Sequence, residues 1–273
     1  MRSRTPVLLL APGLILLLAG FLIPSLAMLF SPPGVAPSDI FVRFGEMLTD
    51  PYDLRIIGRT VGIGLVVTLI CVTLGFPIAY LLARSTSRWS GVLLALAIFP
   101  LLLSNVVRTF GWLVVLGANG AIGQLLTGLG LVDKAPQLLY TELAIVLGLT
   151  QLFLPLAIIS CYSAVAQVDP GLDDAARGLG ASRTRTFWTV VIPLSSPGIV
   201  VAATLVFAGS VTAYTTPYLL GGSSQRMLST QLFSYSSVTI DWASASATAL
   251  IMTLLVFLVS GLSSLIARKG AIA

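Results

Sequence analysis

Six apolar stretches, separated by polar segments, run along the chain at residues 6–30, 57–83, 91–116, 142–165, 187–208 and 243–267. A helix rising about 1.5 Å per residue needs roughly 20 residues to cross the hydrocarbon core of a bilayer, and each stretch is long enough. The pattern predicts an all-α membrane protein with six transmembrane helices. The first stretch is too long for the apolar region of a secretion signal and has no clear small-x-small cleavage site, so it reads as a retained helix. The apolar run 122–131 is too short to span. It predicts a short helix lying along, or dipping into, the membrane face between the third and fourth spans. The organisation expected is a first helix and external loop (1–56), a transmembrane core (57–267) and a short tail (268–273).

Composition agrees with the pattern. Of the 273 residues, 56% are hydrophobic and only 9% charged, against about a quarter charged in soluble domains. The net charge is +5. In a membrane protein that excess orients the spans and gives no reason to expect a nucleic-acid partner. An even number of spans puts both termini on one side. Arg2, Arg4, Arg84, Arg88, Arg177, Arg183, Arg185, Arg268 and Lys269 share that side, and Arg43, Arg55, Arg59, Lys134 and Arg226 face the other. The positive-inside rule then places both termini in the cytoplasm. Cys71 and Cys161 fall within spans and read as inert packing residues.

The segment 169–182, Asp-Pro-Gly-Leu-Asp-Asp-Ala-Ala-Arg-Gly-Leu-Gly-Ala-Ser, is a polar, helix-coded island on the cytoplasmic side. Asp169 suits a helix N-cap and Pro170 its first turn. Asp173 and Asp174 lie near the positive end of the helix dipole. Ala175 and Ala176 make a small, smooth face. Gly178 and Gly180 are expected to end the helix, and Ser182 to cap a second one.

These residues carry a resemblance. Asp174-Ala175-Ala176, Gly180 four residues later, and Ile192-Pro193-Leu194 resemble the EAA loop of binding-protein-dependent ABC importer permeases, with Asp in place of the usual Glu. The resemblance extends over 57–267. It implies the type I ABC importer permease (MetI-like) fold in a bacterial inner membrane. It also implies a cytoplasmic ABC ATPase dimer, a second permease subunit of paralogous sequence, and an external solute-binding protein. The loop residues implied in ATPase coupling are Asp173, Asp174, Ala175, Ala176, Gly180, Arg183 and Arg185. The mechanism implied is alternating access.

The chemistry missing from the chain points the same way. There is no histidine and no Gly-x-x-x-x-Gly-Lys-Ser/Thr phosphate loop, which removes histidine-based catalysis, HExxH zinc sites and P-loop ATP hydrolysis from this polypeptide. No catalytic residue, metal site or cofactor is expected in it, with ATP and Mg held by the partner ATPase. Acidic residues are scarce within the spans, where a proton-coupled carrier keeps one. A secondary, ion-coupled carrier is the alternative, and it would work without an ATPase.

Two segments are candidates for a translocation path. The first holds Asn105, Arg108 and Trp112 in the third span. An ionisable group in a span marks function by default, whereas snorkelling is the competing account of Arg108, placed toward the external end. The run 107–112, Val-Arg-Thr-Phe-Gly-Trp, resembles a segment of the spermidine/putrescine permease subfamily. The second holds Tyr214, Thr215, Thr216 and Pro217. Here Pro217 is expected to break the helix and free backbone carbonyls, and Tyr214 offers a ring face to a cation. It resembles the Thr-Pro-x-Leu-Leu-Gly-Gly segment of the same subfamily, without the acidic residue that polyamine permeases often carry just before it. Gln151, with Pro155 in the fourth span, adds a polar point. The solute implied is a small organic molecule, a polyamine or related nitrogenous compound.

Overall fold

The computed structural model of the chain describes residues 5–85 and 87–270. Arg2 and Arg4, used above for orientation, lie outside the described residues, as do the side chains of Arg268 and Lys269. Every regular element described is helical. The first apolar run forms α1 (Thr5–Leu17) and α2 (Ile23–Phe30) around a π-helical turn. Next come α3 (Pro37–Met47), α4 (Pro51–Arg84), α5 (Ser90–Ile98), α6 (Asn105–Leu116), α7 (Ala121–Gly128) and α8 (Glu142–Ala166). They are followed by α9 (Pro170–Gly178), α10 (Arg183–Thr186), α11 (Ile192–Thr212), α12 (Thr215–Gly221), α13 (Leu228–Phe233) and α14 (Trp242–Gly270). Among the described residues, six stretches have the length and apolarity to cross a membrane. The short helix expected within 122–131 is α7.

The third predicted span is corrected. Residues 91–116 do not form one helix. α5 tightens into a 3-10 turn at Phe99–Leu102, Leu103 turns extended with ψ 141°, and α6 starts at Asn105. Pro100 has no N–H to continue the ladder, which favours a stop here. Asn105–Gly128, covering α6 and α7, has membrane length and apolarity, but it too is interrupted, between Leu116 and Ala121. Arg108 consequently sits in the first turn of a new helix rather than near the end of a long one.

Two compact units are present. One comprises the chain up to Arg55 with Gln231–Thr253. Its polar centre is Arg43. The guanidinium donates to Ser244 Oγ at 3.0 Å, Glu46 Oε2 at 3.2 Å, Asp53 Oδ2 at 3.3 Å and Tyr235 OH at 3.4 Å. Asp53 is almost wholly buried, and a buried carboxylate survives only when paired and hydrogen-bonded. Arg43 thus ties α3, the start of α4 and the start of α14 together.

The other unit, Ile56–Thr230 with Leu254–Ala273, is built on α4, α8 and α11. Ile63, Val67 and Cys71 recur every fourth residue of α4, so they line one face of the helix. They meet Ile145, Leu149 and Ala157 of α8 and Val206 of α11. A second cluster continues along the same helices with Phe76, Ala79, Cys161, Val165, Val191 and Ala202. Leu65 and Leu69, on another face of α4, are exposed and suit lipid. Both cysteines are buried and unbridged.

α8 and α11 pack antiparallel at close range. A Cβ placed on Gly198 would fall 2.0 Å from the Ala164 Cβ, and one on Gly209 would fall 2.4 Å from a Phe153 ring carbon. The same number of residues separates the two contacts on each helix, so α8 and α11 run in register for about three turns. Small residues at a helix interface bring backbones close, the main source of helix association where no hydrophobic effect operates between spans. Gly198→Leu is expected to force the pair apart and lower the apparent melting temperature in detergent by roughly 5 °C. Gly62→Ala, at an open position on α4, should leave it unchanged. Equal melting of the two variants would show that the contact is not structural.

Candidate functional site

Two sets of residues stand out, one just beyond the C-terminal end of α8 and one beside its N-terminal half. The first is the loop between α8 and α11. Asp169 is the N-cap of α9: its Oδ1 accepts from the Gly171 N–H at 2.8 Å, and Pro170 occupies the first turn. The far end closes with two reverse bonds, Ala181 N–H to Ala176 C=O and Gly180 N–H to Arg177 C=O, both 3.0 Å. That paired pattern requires a left-handed residue, and Gly180 supplies it with φ +90°. Gly178, expected to break the helix, is instead its last residue. Ser182 caps α10, accepting from the Arg185 N–H at 3.2 Å. A nine-residue helix is marginal alone, but this one is capped at both ends.

Its faces are distinct. Asp173 turns inward and pairs with Arg84, the last residue of α4, at 2.9 Å. Asp174 points out and meets only Arg177, at 3.9 Å. Leu172, Ala175 and Leu179 are exposed, and Leu179 is 91% exposed. Their spacing places them on one side of the helix. Ala176 is half-buried, and Arg183 and Arg185 are exposed. The result is a rigid, solvent-facing helix with a small apolar stripe flanked by charge, tied at its first turn to a membrane span. Arg84, read from sequence only as an orientation charge, is the residue that ties it. Beside the loop, a groove of about 620 Å3 runs between α8 and α11, lined by Ser160, Ser163, Gln167, Pro197 and Val201 among others. Ser163 and Gln167 bond within α8.

The second set lies about 20 Å up α8 at its rise of 1.5 Å per residue. α11 ends at Thr212, Ala213 is extended, and α12 starts at Thr215. The break therefore precedes Pro217, which occupies the first turn of α12, where a missing N–H costs nothing. This corrects the assignment of the break to Pro217. The carbonyl freed at Ala213 does not face an empty path either: Ser229 Oγ donates to it at 2.7 Å.

Several predicted path residues do converge here. Thr216 Oγ1 is 3.3 Å from Thr109 Oγ1 and 3.4 Å from Asn105 Oδ1, joining α12 to α6. Trp112 Nε1 donates to Gln151 Oε1, joining α6 to α8. Tyr214 stacks on Tyr218, with ring centroids 5.1 Å apart. Thr215 is half-buried beside them. Thr109 and Tyr218 are members that sequence reading did not single out. Arg108 is half-buried, and its Nε and Nη1 are buried without a hydrogen-bond partner. The set thus offers hydroxyls, an amide, ring faces and one guanidinium with spare N–H groups. Nearby, Arg59 holds Glu142 at 2.8 Å and the carbonyls of Arg226 and Ser224 at 3.3 and 3.4 Å.

Known proteins are similar to this chain. Residues 72–270 match the family described as binding-protein-dependent transport system inner membrane component. The chain is 29% identical over 226 residues to the spermidine/putrescine transport system permease protein PotB of Haemophilus influenzae, covering 81% of this chain and 79% of that one. It is 30% identical over 207 residues to PotB of Escherichia coli, covering 76% and 75%. It is 33% identical over 211 residues to the molybdenum transport system permease protein ModB of Azotobacter vinelandii, covering 76% and 91%. Among solved structures, a bacterial alginate ABC transporter in complex with a pentasaccharide-bound periplasmic protein superposes with TM-score 0.80 at 15% identity, covering 99% and 96%. The inward-facing methionine transporter MetNI superposes with TM-score 0.61 at 18% identity, covering 80% and 95%. These neighbours share the fold over the lengths covered. The chain therefore belongs to the binding-protein-dependent transport system inner membrane component family and is a multi-pass inner-membrane permease of the type I ABC importer class.

Proposed function

We propose that this chain is one of two permease subunits, the other a paralogue, that line a path for a small nitrogenous cation of the polyamine class. The observation that carries the coupling part is the geometry of α9. A helix capped at both ends, with an exposed Leu172–Ala175–Leu179 stripe and outward charges at Asp174, Arg183 and Arg185, is built to dock on another protein. The partner that fits is a cytoplasmic ATPase dimer holding ATP and Mg; this chain needs no cofactor of its own. Both termini are then cytoplasmic. ATP-driven closure of the ATPases moves α9, and α9 moves the α8–α11 pair. The cavity opens outward and receives solute from an external binding protein.

Identity to the spermidine/putrescine permeases supports the polyamine assignment, and so does the stack of half-buried Tyr214 on exposed Tyr218, a surface for an ammonium group. A second reading has its own observation. The spare N–H groups of Arg108 suit an oxyanion, and one relative is a molybdenum transport permease.

Two experiments decide. Gly180→Val should abolish uptake while leaving membrane insertion intact, because a β-branched residue strains the left-handed turn that closes α9. Normal uptake by that variant would remove the docking role. With the complete importer in proteoliposomes, labelled spermidine should accumulate only with ATP, and Tyr214→Ala should slow it roughly tenfold. Accumulation of molybdate in place of spermidine would transfer the assignment to the oxyanion reading. Spermidine uptake without ATP would indicate an ion-coupled carrier.

A further inference from the structure

The tie between α9 and α4 is half of a fork. Arg84 Nε donates to Asp173 Oδ2 at 2.9 Å, and Arg84 Nη1 to the Val168 carbonyl at 3.0 Å. Arg84 Nη2 and Asp173 Oδ1 are both buried, and both lack a hydrogen-bond partner. A guanidinium presents Nε–H and Nη2–H side by side, in the spacing of two carboxylate oxygens. The two orphaned atoms are thus the missing half of one bidentate pair. Both side chains are only 15% exposed, so water does not readily complete them, and an unpaired charged donor and acceptor in such a place are costly.

The pair has what a two-position device requires. Val168, in the link between α8 and α9, holds the guanidinium by a separate bond. Asp173 and Asp174 are adjacent in the first turns of α9, and neighbours on a helix project about 100° apart. Asp173 consequently faces α4 while Asp174, with its side chain 80% exposed, faces outward. A force on the outward face turns Asp173 against Arg84.

We propose that Arg84 and Asp173 form a latch between α4 and α9, single-bonded in the conformation described here and double-bonded when an ATPase drives α9. Both are positioning residues: they pass the movement of α9 directly to a second span, in parallel with the covalent link to α8. The proposal rests on the reading of α9 as the ATPase-docking helix.

The test uses the complete importer in nanodiscs. Phosphate release is measured with and without the binding protein isolated from native cells. Asp173→Asn keeps one acceptor oxygen for Nε but no second oxygen to close the fork. Arg84→Lys keeps the charge without the fork. Each should still assemble with the ATPase, yet lose about tenfold of the acceleration given by the binding protein, the worth of one charge-assisted hydrogen bond. A structure of the unsubstituted complex trapped with ATP and vanadate should show Nη2 within hydrogen-bond reach of Oδ1. Full acceleration in an assembled variant would overturn the latch, and so would a trapped structure with those atoms still apart. If a variant does not assemble, the trapped structure decides. Phosphate release does not depend on which solute is carried. If the unsubstituted complex showed no acceleration at all, the docking reading would fall, and the latch with it.

Discussion

The close antiparallel contact between α8 and α11 is the constraint on which both functional regions depend. Gly198 against Ala164 and Gly209 against Phe153 set the separation and register of the two helices. One end of the pair carries α9 and its caps. The other carries α12 and the Thr216–Thr109–Asn105 group. Because glycine backbone on α11 meets an alanine methyl at one point and a phenylalanine ring at the other, the contact resists sliding: moving one helix past the other drives methyl group or ring into main chain. The two helices therefore behave as one rigid pair, with α9 at one end and α12 some 20 Å away.

Polar groups are spent sparingly. In hydrocarbon an unpaired polar group is costly, and the threonines of the spans bond back to their own helices. Thr60 donates to Ile56, Thr68 to Gly64 and Thr73 to Leu69. Charges are placed at span ends, with Arg59 on Glu142 at one end of α4 and Arg84 on Asp173 at the other. Against this economy the unpartnered Nη2 of Arg84 and the unpartnered Nε and Nη1 of Arg108 stand out. The first lies at the end of α4 against α9, and the second in the first turn of α6.

Much of the fold was legible because it is written in short-range rules. Five of the six spans lie close to where hydropathy placed them. The α9 caps followed from Asp169, Pro170, Gly180 and Ser182, since capping joins residues two to five apart. The break in the third span was missed because apolar content runs unbroken through Pro100, and only backbone geometry distinguishes a kink from a stop. Pro217 misled for the related reason that a proline is equally at home at the start of a helix as at its end.

The pairings were not legible. Thr109 with Thr216, Trp112 with Gln151 and Arg84 with Asp173 join residues dozens apart in sequence. Nothing local distinguishes Asp173, which is buried against α4, from Asp174, which is exposed. The sequence by itself determined that the chain spans a membrane, how many times, and that it carries a short capped polar helix between two spans, because hydrophobicity, charge and capping act over single turns. The tertiary structure decided which polar atoms meet, because those contacts exist only once the helices have packed.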